Sequence, residues 1–163
     1  GILYVYEENY AQAESEFRKA ILFQKNYVYA YLNLSRILVQ QEFFIDAREI
    51  LQTLTKIAPS NHEVFFALAT LAFKQRNFTE TEKYLNKTLK VNPSHIDSLV
   101  SLAITLDLQN KTNLSFSPLE KALQIKEYPH LYILMTYFAL KSSDWDKFQS
   151  LNLSVIWEKL IKK

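Results

Sequence analysis

Cysteine is absent from this chain of 163 residues, glycine occurs once, at position 1, and proline four times. Without cysteine there can be no disulfide, no thiolate zinc site and no cysteine nucleophile. A β-sandwich, a barrel or a Rossmann domain draws its turns from Gly and Pro, and five such residues cannot supply them. The same scarcity excludes a glycine-rich phosphate cradle. The expected fold is therefore all-α. Strong charge of one sign is also missing. The net charge is +2, with −2 over residues 1–82 and +4 over residues 83–163. Nothing clusters tightly enough to neutralise a phosphate backbone, so nucleic acid is not an expected partner. No apolar run approaches the roughly 18 residues that span a bilayer, and direct membrane insertion is not expected.

What is present suits a folded domain. Apolar residues make up 48% and charged ones 22%, a balance of globular rather than disordered chains. Aromatics are plentiful, with 11 Phe, 10 Tyr and 2 Trp. A chain of this length buries about two-thirds of its unfolded surface. It opens Gly1-Ile2-Leu3, without Met or a signal-peptide pattern. The expectation is a piece of a longer chain, whose compartment stays open with the cytoplasm favoured.

The sequence repeats every 34 residues. Pro59 and Pro93 keep this step, as do aromatic Tyr10, Phe44 and Phe78. Large Phe17, Leu51, Leu85 and Leu119 form one column, and mostly small Ala13, Ala47, Thr81 and Ser115 another. Tyr31, Phe65 and Leu99 form a third, Leu34, Leu68 and Leu102 a fourth. Small Ser35, Ala69 and Ala103 follow, then Tyr4, Leu38, Ala72 and Leu106. Such ungapped column repetition is the signature of a stacked array. An ordinary antiparallel bundle does not repeat column by column.

Within one repeat, Phe65, Leu68, Ala69 and Ala72 fall at i, i+3, i+4 and i+7, one stripe of an α-helix. Thr81, Leu85 and Thr88 make a second stripe beyond Arg76-Asn77. Each repeat is thus a helical hairpin, with helix A over about 28–41, 62–75 and 96–109, and helix B over about 44–57 and 78–91. The junction prolines end helix B, since proline lacks the amide and restricts the residue before it. The small Ser35/Ala69/Ala103 column predicts a close crossing of helix A with its own helix B. In residues 96–129 the start of helix B is replaced by "NKTNLSFSP". Ser117-Pro118-Leu119-Glu120 there has the form of a capping box. That predicts a helix B starting near Ser117 behind a loop over 110–116, the most mobile internal segment. Pro129 follows Pro93 by 36 residues, and residues 130–142 read as another helix A. Ser143 or Asp144 is expected to cap a last helix from Trp145, with Trp157 and Ile161 covering the final repeat.

These columns resemble the tetratricopeptide repeat, the TPR family, over essentially the whole chain. The resemblance implies a right-handed solenoid of antiparallel helix hairpins as a single domain. Its repeats would be residues 1–27 (partial), 28–61, 62–95, 96–129 and a degenerate capping repeat over 130–163. It also implies a concave groove, lined by helices A, that binds a peptide or helix of another protein. The carboxylate clamp of some family members is missing. Asn33 occupies an Asn slot, but Leu32 stands where Lys would be, and Glu63 and Ala67 replace basic residues.

The residues point to a groove by themselves. After the core stripe of each helix A is assigned, a second stripe remains about 100° around it. It holds Leu32, Arg36 and Val39, then Phe66, Thr70 and Phe73, then Val100, Ile104 and Asp107. Six of these nine are apolar, and exposed apolar patches mark interaction surfaces. With the adjoining Asn33, these are the expected partner-binding residues. Cover of this stripe by the chain's own missing N-terminal segment, or by a second copy of the chain, is the competing reading.

Chemistry is not expected. His62, His95 and His130 each follow a junction proline and sit on successive repeats, without the i, i+3 or i, i+4 spacing of a helical metal site. No metal or cofactor is expected. Asp144 and Asp146 suit a helix cap better than acid–base work. Lys83, Lys87 and Lys90 read as an outer solvated face. Six Asn-x-Ser/Thr matches occur, two of them inside helices, and no glycosylation is read from them. The expected function is a non-enzymatic scaffold or adaptor holding an amphipathic or apolar segment of a partner. By fold-level analogy, such grooves are similar to those of bacterial secretion chaperones and assembly factors. A recognition arm of a longer enzyme, such as a glycosyltransferase or phosphatase, is the alternative. RNA-binding helical hairpins fit less well, because the groove columns are apolar rather than base-reading.

Overall fold

A computed structural model describes residues 9–144, 146 and 151 of the chain. Among them are eight α-helices, one 3-10 turn and no strand. The helices are α1 (Tyr10–Phe23), α2 (Val28–Gln40), α3 (Phe44–Ile57), α4 (His62–Lys74), α5 (Phe78–Val91), α6 (Ile96–Leu108), α7 (Phe116–Ile125) and α8 (Pro129–Ser142). They form two compact units, one ending at Val91 and the other beginning at Asn92. The readings of the Tyr4 column and of the cap from Trp145 onward, with Trp157 and Ile161, lie outside the described residues.

Local chemistry sets the helix boundaries. The side chains of Asn9 and Asn61 accept from the backbone amides of Gln12 and Glu63, capping α1 and α4. Asn77 accepts from the Glu80 amide at 3.1 Å and donates to the Glu80 carboxylate at 3.3 Å, a reciprocal cap for α5. His95 Nδ1 accepts from the Ser98 amide ahead of α6. Each helix A closes in the same way. Glu42, Arg76 and Asn110, spaced by 34, all have positive φ near 60°. The amides of Phe43, Asn77 and Lys111 reach back to Leu38, Ala72 and Leu106, the 6→1 bond of a Schellman motif. Ser143 closes α8 with the same geometry.

In the first unit, α1 to α5 pack in sequence, and α2 also packs on α4. The repeat columns are its core. Ala13, Ala47 and Thr81 are fully buried, as are Leu51, Leu85, Leu34 and Ala69. Full burial of one such leucine is worth about 1.5–3 kcal/mol. Buried Thr81 and Thr88 donate to the carbonyls of Asn77 and Tyr84 on their own helix, which removes the penalty of burying a hydroxyl.

In the second unit the small-residue crossing is visible in one bond. Ser115 is fully buried and its hydroxyl donates to the Ala103 carbonyl at 2.9 Å, so the two helices meet at backbone distance there. The segment 110–116 is not irregular throughout. A 3-10 turn over Thr112–Leu114 stands where the other repeats begin helix B, and α7 starts at Phe116 rather than Ser117. Burial of Phe116, whose ring meets Phe138 edge-on at 6.4 Å, accounts for the earlier start. Ser117 is exposed within the first turn, and Ser115 makes no side-chain cap. Pro118 fits there because amides of a first turn have no intrahelical partner.

Candidate functional site

The first unit carries a groove of about 530 Å³ between α2 and α4. Tyr29, Leu32, Asn33, Arg36, Val39 and Gln40 line it from α2. Glu63, Phe66, Ala67, Thr70 and Lys74 line it from α4. The two helices contribute equivalent positions, because Tyr29 and Glu63, Leu32 and Phe66, Asn33 and Ala67, Arg36 and Thr70, and Gln40 and Lys74 are each 34 apart. Leu32 and Phe66 are half-buried, Arg36 and Thr70 are exposed, and Val39 is buried.

Asn33 is the one buried amide of this face. Its Nδ2 donates to the Tyr29 carbonyl at 2.8 Å, and its Oδ1 accepts from the Arg36 guanidinium. The Thr70 hydroxyl donates to the Phe66 carbonyl at 3.0 Å. At the other end, the Glu63 carboxylate lies 3.3 Å from His62 Nε2.

Six sequence-derived residues therefore share this groove: Leu32, Asn33, Arg36, Val39, Phe66 and Thr70. Phe73 does not line it. Its ring is half-buried and meets Phe78 edge-on at 5.8 Å, in the turn to α5. The groove turns instead to Lys74, one residue on. Tyr29, Gln40 and Lys74 escaped the sequence reading, and Glu63 and Ala67 entered it only as departures from the carboxylate clamp. Their signal is the same 34-residue step, at positions i−3, i+1 and i+8 of the stripe already chosen.

Val100, Ile104 and Asp107 belong to the second unit. Val100 borders a separate cavity of about 630 Å³, with His95, Asp97, Ser101, Tyr128 and His130. Ile104 is half-buried. Asp107 is buried, and its two oxygens accept from Thr112 Oγ1 at 2.7 Å and Lys141 Nζ at 2.8 Å. That hydrogen bond raises the Lys141 ammonium above its ordinary pKa. Asp107 thus ties α6 to the 3-10 turn and to α8.

On α8, Ile133, Tyr137 and Leu140 are about half exposed at i, i+4 and i+7. Met135, Phe138 and Ala139 are buried, each 36 residues after Leu99, Leu102 and Ala103. The two-residue slip announced by Pro129 carries through the helix and hides this stripe from a 34-residue search. On α5, Lys87 Nζ sits 5.6 Å from the Phe65 ring centre and 5.5 Å from that of Tyr84. Its stem and charge thus cover aromatic surface. Burial, followed by the nearby Glu80 carboxylate, pushes the Tyr84 phenol pKa up.

No protein-family model and no curated protein sequence matches this chain. Solved structures do match in fold. The crystal structure of MamA superposes with a TM-score of 0.82 at 16% identity, over 98% of this chain and 95% of that one. A thermophilic TPR protein of Thermus thermophilus gives 0.74 at 15% identity, over 93% and 84%. YrrB, a TPR protein, gives 0.69 at 13% identity, over 91% and 77%. The fold of this chain is accordingly that of the tetratricopeptide-repeat proteins. Among the described residues, no helix is long and apolar enough to cross a membrane.

Proposed function

We propose that this chain is a non-enzymatic interaction scaffold whose α2–α4 groove holds a segment of a partner protein. The observation that carries the reading is the groove itself. Its volume of about 530 Å³ is floored by Leu32, Val39, Phe66 and Ala67 and edged by Arg36, Glu63, Thr70 and Lys74. Apolar anchors inside a polar rim are the usual anatomy of a protein-binding surface. YrrB, similar in fold, is described as having an unusual peptide-binding site, which supports a peptide or helix as the occupant here. Val100 and Ile104 are proposed to offer a contact surface of their own within the second unit. Phe73 is proposed to shape the groove indirectly by packing on Phe78, and Asp107 to shape the second unit by holding α6.

The test is affinity capture with the full-length protein and its Leu32→Ala, Phe66→Ala double variant. Capture should fall at least tenfold in the variant, with far-UV circular dichroism unchanged. Central anchors each contribute about 2 kcal/mol or more to binding, so an undiminished capture by a folded variant would refute the groove.

A further inference from the structure

The α2–α4 groove is electrostatically lopsided. Arg36 and Lys74 both line it and both are exposed. The 34-residue step sets Arg36 level with Thr70, so Lys74 lies about 6 Å further along the helix direction at 1.5 Å per residue. Among the described residues, neither cation forms an ion pair. Among the described residues, the only carboxylate lining the groove is Glu63, seven residues before Thr70 and about 10 Å away along the axis, beside His62.

Arg36 is also held in place. Buried Asn33 is anchored on the Tyr29 carbonyl through Nδ2, which directs Oδ1 to the guanidinium. One of the five N–H donors of the guanidinium is used in this way, and among the described residues Asn33 is its only hydrogen-bond partner. A cation oriented by a buried amide beside an apolar floor loses little side-chain freedom on binding, and it matches a carboxylate in geometry as well as charge.

We infer that the occupant is a segment of another protein in which an acidic side chain flanks an apolar or aromatic anchor. The anchor rests on Leu32, Val39 and Phe66, and the carboxylate lies between Arg36 and Lys74. This rests on the proposed use of the groove and adds the chemistry of the ligand. The acidic side chain then lies toward the Lys74 end of the groove and away from Glu63.

A random dodecapeptide phage library selected on the immobilised 163-residue chain tests this. Enriched peptides should carry Asp or Glu next to Leu, Ile, Phe or Trp, and should bind at least tenfold more weakly in 0.5 M salt than in 0.05 M. Selection on the Arg36→Glu, Lys74→Glu variant, whose changes are at exposed positions, should replace the acidic residues with Lys or Arg. Enrichment without acidic residues, the same peptides from the charge-reversed variant, or no enrichment would overturn the inference. The groove reading is separated by the Leu32→Ala, Phe66→Ala variant. Peptides lacking acidic residues that still lose binding to it leave the groove standing and remove only the charge. Acid-bearing peptides that bind it unchanged remove the groove, and with it this inference. Dimerisation of the chain that this variant abolishes would assign the face to a second copy and also overturn the inference.

Discussion

Three residues of ordinary kind sit where the backbone asks for glycine. Glu42, Arg76 and Asn110 take the left-handed conformation at the end of successive helices A, and the chain has no glycine there to relieve it. A residue with a Cβ is disfavoured in that region by about 1–2 kcal/mol, with asparagine tolerating it best. Part of that is offset because glycine would make the unfolded chain more flexible. The side chains of Glu42 and Arg76 are exposed. Glu42→Gly and Arg76→Gly should therefore each raise unfolding stability by about 0.5–1 kcal/mol in urea titrations, and Asn110→Gly by less. A loss of stability in both would mean that these turns are not left-handed. None of this was legible in the column pattern, because the turn column holds Glu, Arg and Asn, which share no property that a hydrophobic repeat registers. Asp107 is a similar case. Its column places it on a binding face, while its partners Thr112 and Lys141 lie 5 and 34 residues away, a link that no local pattern encodes.

Among the elements, the helices A and the regular helices B follow from periodicity almost to the residue, since apolar spacing, asparagine caps and junction prolines agree with one another. The small-residue columns are their tightest points. Ala69 and Ala103 are buried to within about 1%, and Ser115 bonds the Ala103 carbonyl. A leucine at either position adds atoms where helices already meet. Ala69→Leu and Ala103→Leu should each lower stability by about 1–3 kcal/mol, read as a fall in melting temperature. Unchanged melting in both would mean that the repeat register is wrong. The irregular helix B was harder to read, because a capping-box match at Ser117 competed with the burial of Phe116, and burial prevailed. The α8 face was missed because two inserted residues before Pro129 shift its core from the 34-residue step to 36.

For the molecule as a whole, the fold was written in the period and the α2–α4 groove only in part. Core columns repeat because each helix must bury the same stripe, so they are visible in a single sequence. Groove columns are free to differ from repeat to repeat, and a stripe chosen for apolarity finds Leu32, Val39 and Phe66 while passing over Tyr29, Glu63 and Lys74. It also takes in Phe73, whose ring packs on Phe78. The central claim, that a partner segment lies between α2 and α4, can be read from position-specific photo-cross-linking. Benzoylphenylalanine in place of Thr70, exposed and lining the groove, is compared with the same residue in place of Lys83, exposed on α5. In the full-length protein, the account predicts a covalent adduct with a partner from position 70 and none from position 83. An adduct from position 83 with none from position 70 would contradict it.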